Sequence, residues 1–117
     1  MKVRYTQSGP YIGYTLNGSV LTIGDLIIDL SGRYEDSQVV VNITRDGNTL
    51  IEGLGGKGGY VATVVLPPKQ YEFIDAGVVD DLGNPVLNKT ALPIDVEKVV
   101  LSLWRYVPEN VGSGGVY

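Results

Sequence analysis

The chain of 117 residues contains no cysteine and no histidine. Without thiols there is no disulfide, no thiolate nucleophile, and no cysteine-ligated zinc or iron–sulfur site. Without imidazole the commonest general base and the commonest metal ligand are missing. Serines are present, but no histidine can activate them and none sits in G-x-S-x-G; serine–lysine chemistry has no motif behind it. Basic charge is sparse as well. Lys2, Arg4, Arg33, Arg45, Lys57, Lys69, Lys89, Lys98 and Arg105 are scattered singly against 13 acidic residues. A nucleic-acid partner needs a basic stripe to displace counterions, so none is expected. Long apolar runs are absent too. The stretch Val61 to Leu66 is far too short to span a bilayer. The opening Met1-Lys2-Val3-Arg4-Tyr5-Thr6-Gln7 has no apolar stretch of signal-peptide type, so synthesis in the cytoplasm without a membrane partner is expected.

What is present is the composition of a folded domain. Hydrophobic residues make up 44% of the chain and charged residues 19%, which leaves no signature of disorder. The length suits a single domain with a core of its own. With 16 glycines and 6 prolines among many valines, isoleucines, threonines and tyrosines, short strands joined by tight turns are expected. The domain is assigned to residues 1–108, because Pro108 ends the last periodic segment. The remainder, 109–117, is expected to be a flexible tail on account of Gly112-Ser113-Gly114-Gly115.

Alternation with a period of two runs through most of the chain. In Asp25 to Leu30, one face carries Leu26, Ile28 and Leu30, and the other Asp25, Ile27 and Asp29. In Val39 to Thr44 the apolar face is Val39, Val41 and Ile43. Tyr60 to Leu66 is apolar at nearly every position, as in a strand buried on both faces. Tyr71 and Phe73 alternate with Gln70 and Glu72. Asn17-Gly18 and Asp46-Gly47 sit between such segments and suit type I′ hairpins, and Asp81-Leu82-Gly83-Asn84 suits a longer one. Between Pro93 and Val107 two periods compete. Val96, Val99, Val100 and Leu103 have helical spacing, with Pro93 and Asp95 fit to open a helix. Val99, Leu101 and Leu103 also alternate, and the valines favour a strand, with Trp104 and Tyr106 on the face opposite the leucines. The fold class expected is mostly β: an antiparallel β sandwich or small barrel of about seven to nine strands, with several hairpins and little helix. The expected core is Leu21, Ile23, Leu26, Ile28, Leu30, Val39, Val41, Ile43, Val64, Leu66, Tyr71, Phe73, Val99, Leu101 and Leu103.

No motif carries recognisable catalysis. Gly53-Leu54-Gly55-Gly56-Lys57-Gly58 matches G-x-G-x-x-G in letters, but it leads into a strand and no Ser or Thr follows Lys57. It is read as a hairpin loop, made mobile by Gly53, Gly55, Gly56, Gly58 and Gly59 and able to order on a partner. Asp25 and Asp29 would lie roughly 13 Å apart along a strand, beyond the about 5–9.5 Å of glycosidase pairs. Asp80 to Asn84 lacks EF-hand spacing and fits a solvated turn. No cofactor, metal or catalytic residue is assigned. Asn17, Asn42 and Asn88 open glycosylation sequons but are read as turn and strand composition. The aromatics are the better signal: 8 tyrosines and one tryptophan against one phenylalanine. Tyr pairs a flat apolar face with a polar tip, useful at interfaces and for stacking on sugars. Tyr11 and Tyr14, the loop Gly53, Gly55, Gly56, Lys57, Gly58 and Gly59, and Trp104 with Tyr106 form the candidate interaction surface.

Three segments carry a resemblance: Pro67-Pro68-Lys69-Gln70-Tyr71-Glu72; Asp80-Asp81-Leu82-Gly83-Asn84-Pro85-Val86; and Leu92-Pro93-Ile94-Asp95-Val96 leading to Leu101-Ser102-Leu103-Trp104. In style, over the last two-thirds of the chain, they resemble the small β-rich proteins encoded among head and tail genes of tailed phages and prophages. The resemblance implies a non-enzymatic structural or assembly role in a phage particle, with virion association, and assigns no functional residue. Self-association into a homo-oligomer, or binding to other proteins, is the expected mode. The alternative is a β-sandwich binding module that stacks a glycan or other small ligand on Trp and Tyr.

Overall fold

The computed structural model of the protein describes residues 1–108; the expected tail, 109–117, lies outside the described residues. The chain is mostly β, with ten strands, one turn of α-helix and one 3-10 turn among the described residues. Strands β1 (Lys2–Tyr5), β2 (Tyr14–Asn17), β3 (Val20–Ile23) and β4 (Leu26–Asp29) precede the helical turn α1 (Leu30–Arg33). They are followed by β5 (Val39–Asp46), β6 (Thr49–Glu52), β7 (Tyr60–Leu66), β8 (Tyr71–Val79), β9 (Pro85–Ala91) and β10 (Val100–Leu103). They form a five-stranded sheet in the order β1-β10-β7-β5-β6, a three-stranded sheet β2-β3-β4 and a separate ribbon β8-β9. None of these sheets closes into a barrel.

The two larger sheets make the sandwich. Leu21 and Ile23 of β3, Ile28 of β4 and Leu30 face Val41, Ile43, Ala62, Val64, Leu66, Val99, Leu101 and Leu103 in one buried cluster. This is the alternation visible in the sequence, with one face of each strand in the core. Leu26 and Val39 pack against the cluster while half-buried. In β7 the second face is only half covered, at Thr63 and Val65. Its apolar run has another cause: a bulge at Val61 moves the register from Ile43 opposite Ala62 to Thr44 opposite Tyr60, and buries Val61 and Ala62 together.

Three two-residue loops set the registers: Gly18-Ser19, Gly24-Asp25 and Gly47-Asn48. Each has its glycine first, at φ of 61°, 59° and 60°, and among the described residues no other residue type has positive φ. That is the type II′ pattern, so Asn17 and Asp46 end strands where a type I′ turn would have used them in the loop. The Gly24-Asp25 hairpin also removes Asp25 from the strand face it was expected to share with Asp29, and it raises the strand number to ten. The Pro93–Val107 stretch divides. Asp95 caps the 3-10 turn Val96–Lys98 by accepting from the Glu97 amide at 3.1 Å, and the chain then extends as β10. β1 pairs with β10 in parallel, whereas the other ladders among the described residues are antiparallel.

Tyr71 and Phe73 are not core residues. Tyr71 is half-buried and Phe73 is 62% exposed, because β8 pairs only with β9 and the ribbon leaves the sandwich. The molecule is accordingly 82 Å long and 23 × 21 Å across, with a radius of gyration of 20.2 Å. A compact chain of this length would have about 13 Å.

Candidate interaction surface

The ribbon is an arm. Its strands register from Tyr71 opposite Ala91 to Asp75 opposite Leu87, then slip once before Val79 meets Pro85. Neither face is uniformly apolar. Tyr71, Phe73 and Asp75 oppose Ala91, Lys89 and Leu87; Glu72 and Ile74 oppose Thr90 and Asn88. A ribbon patterned in this way has no single face to give to a core, which is why it stands free. The tip is held by Asp80, whose carboxylate accepts from the amides of Leu82 and Asn84, both at 2.9 Å. Phe73, Ile74, Val78, Val79, Leu82 and Leu87 are nevertheless exposed, Leu82 to 86%.

The root of the arm is anchored. The Tyr71 hydroxyl donates to the Asp36 carboxylate, which keeps the phenol protonated above its ordinary range. The Lys89 ammonium lies 4.0 Å from the centre of the Tyr71 ring. The Gln70 amide donates to the Tyr34 hydroxyl at 3.0 Å, and the Lys69 amide to the Glu35 carbonyl at 2.8 Å. A wide depression of about 700 Å³ opens beside this root, lined by Gly32, Tyr34, Glu35, Asp36, Ser37 and Lys69. Among the described residues no three or more acidic side chains cluster so as to hold a metal ion.

The residues singled out in the sequence lie elsewhere, mostly at the opposite end of the five-stranded sheet. The glycine loop does not swing free. β6 and β7 flank β5, so the loop must cross the end of β5, and it is bonded down along the way. The Thr44 hydroxyl donates to the Gly53 carbonyl at 2.8 Å and accepts from the Gly56 amide at 2.9 Å; the Gly58 amide donates to the Arg45 carbonyl at 2.8 Å. A Cβ on Gly56 would stand 2.5 Å from the Arg45 carbonyl oxygen, and one on Gly58 2.7 Å from the Arg45 side chain. Close backbone approach is what requires glycine there. Gly55 has open space around it, and Lys57 is exposed.

Arg45, 8% exposed, organises this end. Its guanidinium donates to the carbonyls of Gly47 and Val107, each at 2.8 Å, and to Asn48 at 3.2 Å, and it lies 4.4 Å from the centre of the Tyr106 ring. Tyr106 therefore packs inward against the core and not on an outward face. Trp104 stacks on Tyr60 with centroids 4.9 Å apart at 23°, so one face of each ring is already covered. Tyr11 also serves the fold: its ring packs against Tyr5 at 4.6 Å, and its hydroxyl donates to the Gln7 carbonyl. Tyr14 is apart from these, exposed on β2 beside a shallow depression of about 310 Å³ with Gly13, Thr15, Thr22 and Gly24.

The structure thus leaves Tyr14 apart from the glycine loop, Trp104 and Tyr106, and packs several of these aromatics on neighbours. The alternation of Tyr71 and Phe73 with polar neighbours, which suggests core positions, conceals the arm in the sequence. The mixed polarity of both faces over residues 71–91 was the signal that could have revealed it. The carboxylates do local work. Asp29 caps α1 by accepting from the Ser31 amide at 3.1 Å, and it also accepts from the Ser31 hydroxyl at 2.7 Å, which holds its pKa below the ordinary value. Among the described residues no helix is long and apolar enough to cross a membrane. Comparison of the chain with protein-family models, with curated proteins and with solved structures finds no match.

Proposed function

We propose that this chain is a non-enzymatic structural or assembly protein that acts through protein–protein contacts made by the β8-β9 arm. One observation carries the reading: a free two-stranded ribbon that exposes Phe73, Ile74, Val78, Val79, Leu82 and Leu87 while the sandwich has a complete core without it. These exposed apolar side chains lie on both faces of the ribbon among charges, and open ribbon edges are templates for pairing with another chain. A role as a phage-particle component, implied by the resemblance in style, is of the same kind.

The test is removal of the arm. The Leu92 amide already donates to the Gln70 carbonyl at 2.8 Å, so a short Gly/Ser turn can replace residues 71–91 without moving the sandwich. Light scattering on size-exclusion fractions across a concentration range should show association of the full chain and a folded monomer for the armless one. An armless chain that assembles like the full one would overturn the role of the arm. A full chain that is monomeric at every concentration would overturn self-association. The stacked Tyr60 and Trp104 would then be the surface to probe, by titrating Trp104 fluorescence with a panel of sugars.

A further inference from the structure

We infer that the arm's partner is a second copy of this chain, and that it docks along the open edge of β1. The inference rests on the reading of the arm as a binding element and specifies what it binds. Three observations carry it. The first is charge. Between Tyr71 and Leu92, Glu72, Asp75, Asp80 and Asp81 stand against Lys89, a net charge of −3. Four strands of the sandwich end its sheets: β1, β6, β2 and β4. β2 carries no charged side chain. β4 ends in Asp29 and follows Asp25, both repulsive to an acidic ribbon. β6 has its one charge, Glu52, already bonded to Arg33. β1 alone among them is basic: Lys2 and Arg4 are exposed on it, and the Arg105 amide is tied at 3.0 Å to Gln7, just beyond its end.

The second observation is the backbone. The amides of Lys2 and Thr6 donate to Val99 and Leu103 of the β10 side at 2.8 and 2.9 Å. By the two-residue period of a strand, the amides and carbonyls of Val3 and Tyr5 point to the open edge, ready to pair with an arm strand. Tyr5, whose ring packs against Tyr11, still leaves 59% of its surface exposed there. Lysine and arginine on an edge deter casual pairing, and an acidic partner strand is the one that removes the deterrent.

The third is reach and size. The arm extends along the 82 Å axis, away from its own sandwich, so its contact with a β1 edge is between molecules. Its strand β8, nine residues long, more than spans the four residues of the β1 edge. Arm and edge are different patches, so the contact closes as an arm-exchanged dimer where it is reciprocal and propagates into a ring or a filament where it is not.

The experiment uses the full chain with charges reversed at positions free of structural hydrogen bonds: Glu72→Lys with Asp81→Lys on the arm, and Lys2→Glu with Arg4→Glu on the edge. Each pair alone should weaken self-association on the order of tenfold or more in Kd. The chain carrying all four should recover it, as should a mixture of the two paired variants. Circular dichroism confirms that each variant folds. If removing the arm abolishes association but reversing the edge does not, the β1 acceptor is overturned and the arm's binding role stands. If removing the arm also changes nothing, both are overturned.

Discussion

The sandwich and the arm are built from similar strands and differ in what their two faces offer. In β5, Val39, Val41 and Ile43 put every second side chain on one side, and that side is buried. In β8 and β9 the apolar residues fall on both sides with charges between them, and almost every residue is exposed. Apolar content does not separate the two regions. Its distribution over the faces does, because a sheet can give only a whole face to a core. The same chemistry that closes one region leaves the other exposed.

The contrast should appear first in stability. Leu101→Ala in the sandwich should cost about 2–5 kcal/mol in denaturant unfolding, by lost burial and a cavity. Leu87→Ala in the arm should stay within about 0.5 kcal/mol below the association concentration. Comparable losses at the two sites would mean that the arm folds onto the body in solution. Arg45 should come next. Arg45→Met strips three hydrogen bonds and the contact with Tyr106 from a buried site, an expected loss of about 2–3 kcal/mol. Arg45→Lys should restore little, since one ammonium lacks the fork that serves several acceptors at once.

Within the glycine loop, two neighbours sharpen the comparison further. Gly56→Ala should destabilise by about 1–3 kcal/mol, because its Cβ has no room. Gly55→Ala, with nothing within 4 Å, should be near neutral. Equal effects in thermal unfolding would show a loop that is not held against β5. The smallest effect concerns the Arg33–Glu52 pair. The hydrogen bond from Arg33 holds the Glu52 pKa below its ordinary 4.5. A lowered carboxyl pKa contributes stability above that ordinary value, and the contribution is lost as pH falls through the folded one. Glu52→Gln should therefore cost at most about 1 kcal/mol at neutral pH, discounted for exposure. The gap from the parent chain should close in acid melts below pH 4.5; a gap that persists there would assign the effect to packing.

Much of the sandwich was legible from alternation alone. Leu21, Ile23, Ile28, Leu30, Val41, Ile43, Val64, Leu66, Val99, Leu101 and Leu103 are buried as their period requires. The turns were legible to within one residue, since Gly18 and Gly47 are placed by φ and not by the asparagine or aspartate before them. Loop packing was not legible. Five glycines in seven residues read as freedom, but what they meet is the backbone of β5, and no local pattern states that β6 and β7 straddle that strand. For the same reason the aromatics pointed to a surface that the fold partly consumes, through Tyr5 with Tyr11, Tyr60 with Trp104 and Arg45 with Tyr106.

The sequence by itself determined that this is a mostly β chain of short strands and glycine turns, with most of the sandwich core marked by alternation. Those properties are local: side-chain period, backbone freedom at glycine and residue chemistry act over a few positions. Tertiary structure alone decided that β8-β9 leaves the sandwich, that the glycine loop is clamped by Thr44 and Arg45, and that β1 ends its sheet with Lys2 and Arg4 outward. Each depends on which strands become neighbours, and that is set by long-range burial, which no short window of the chain contains.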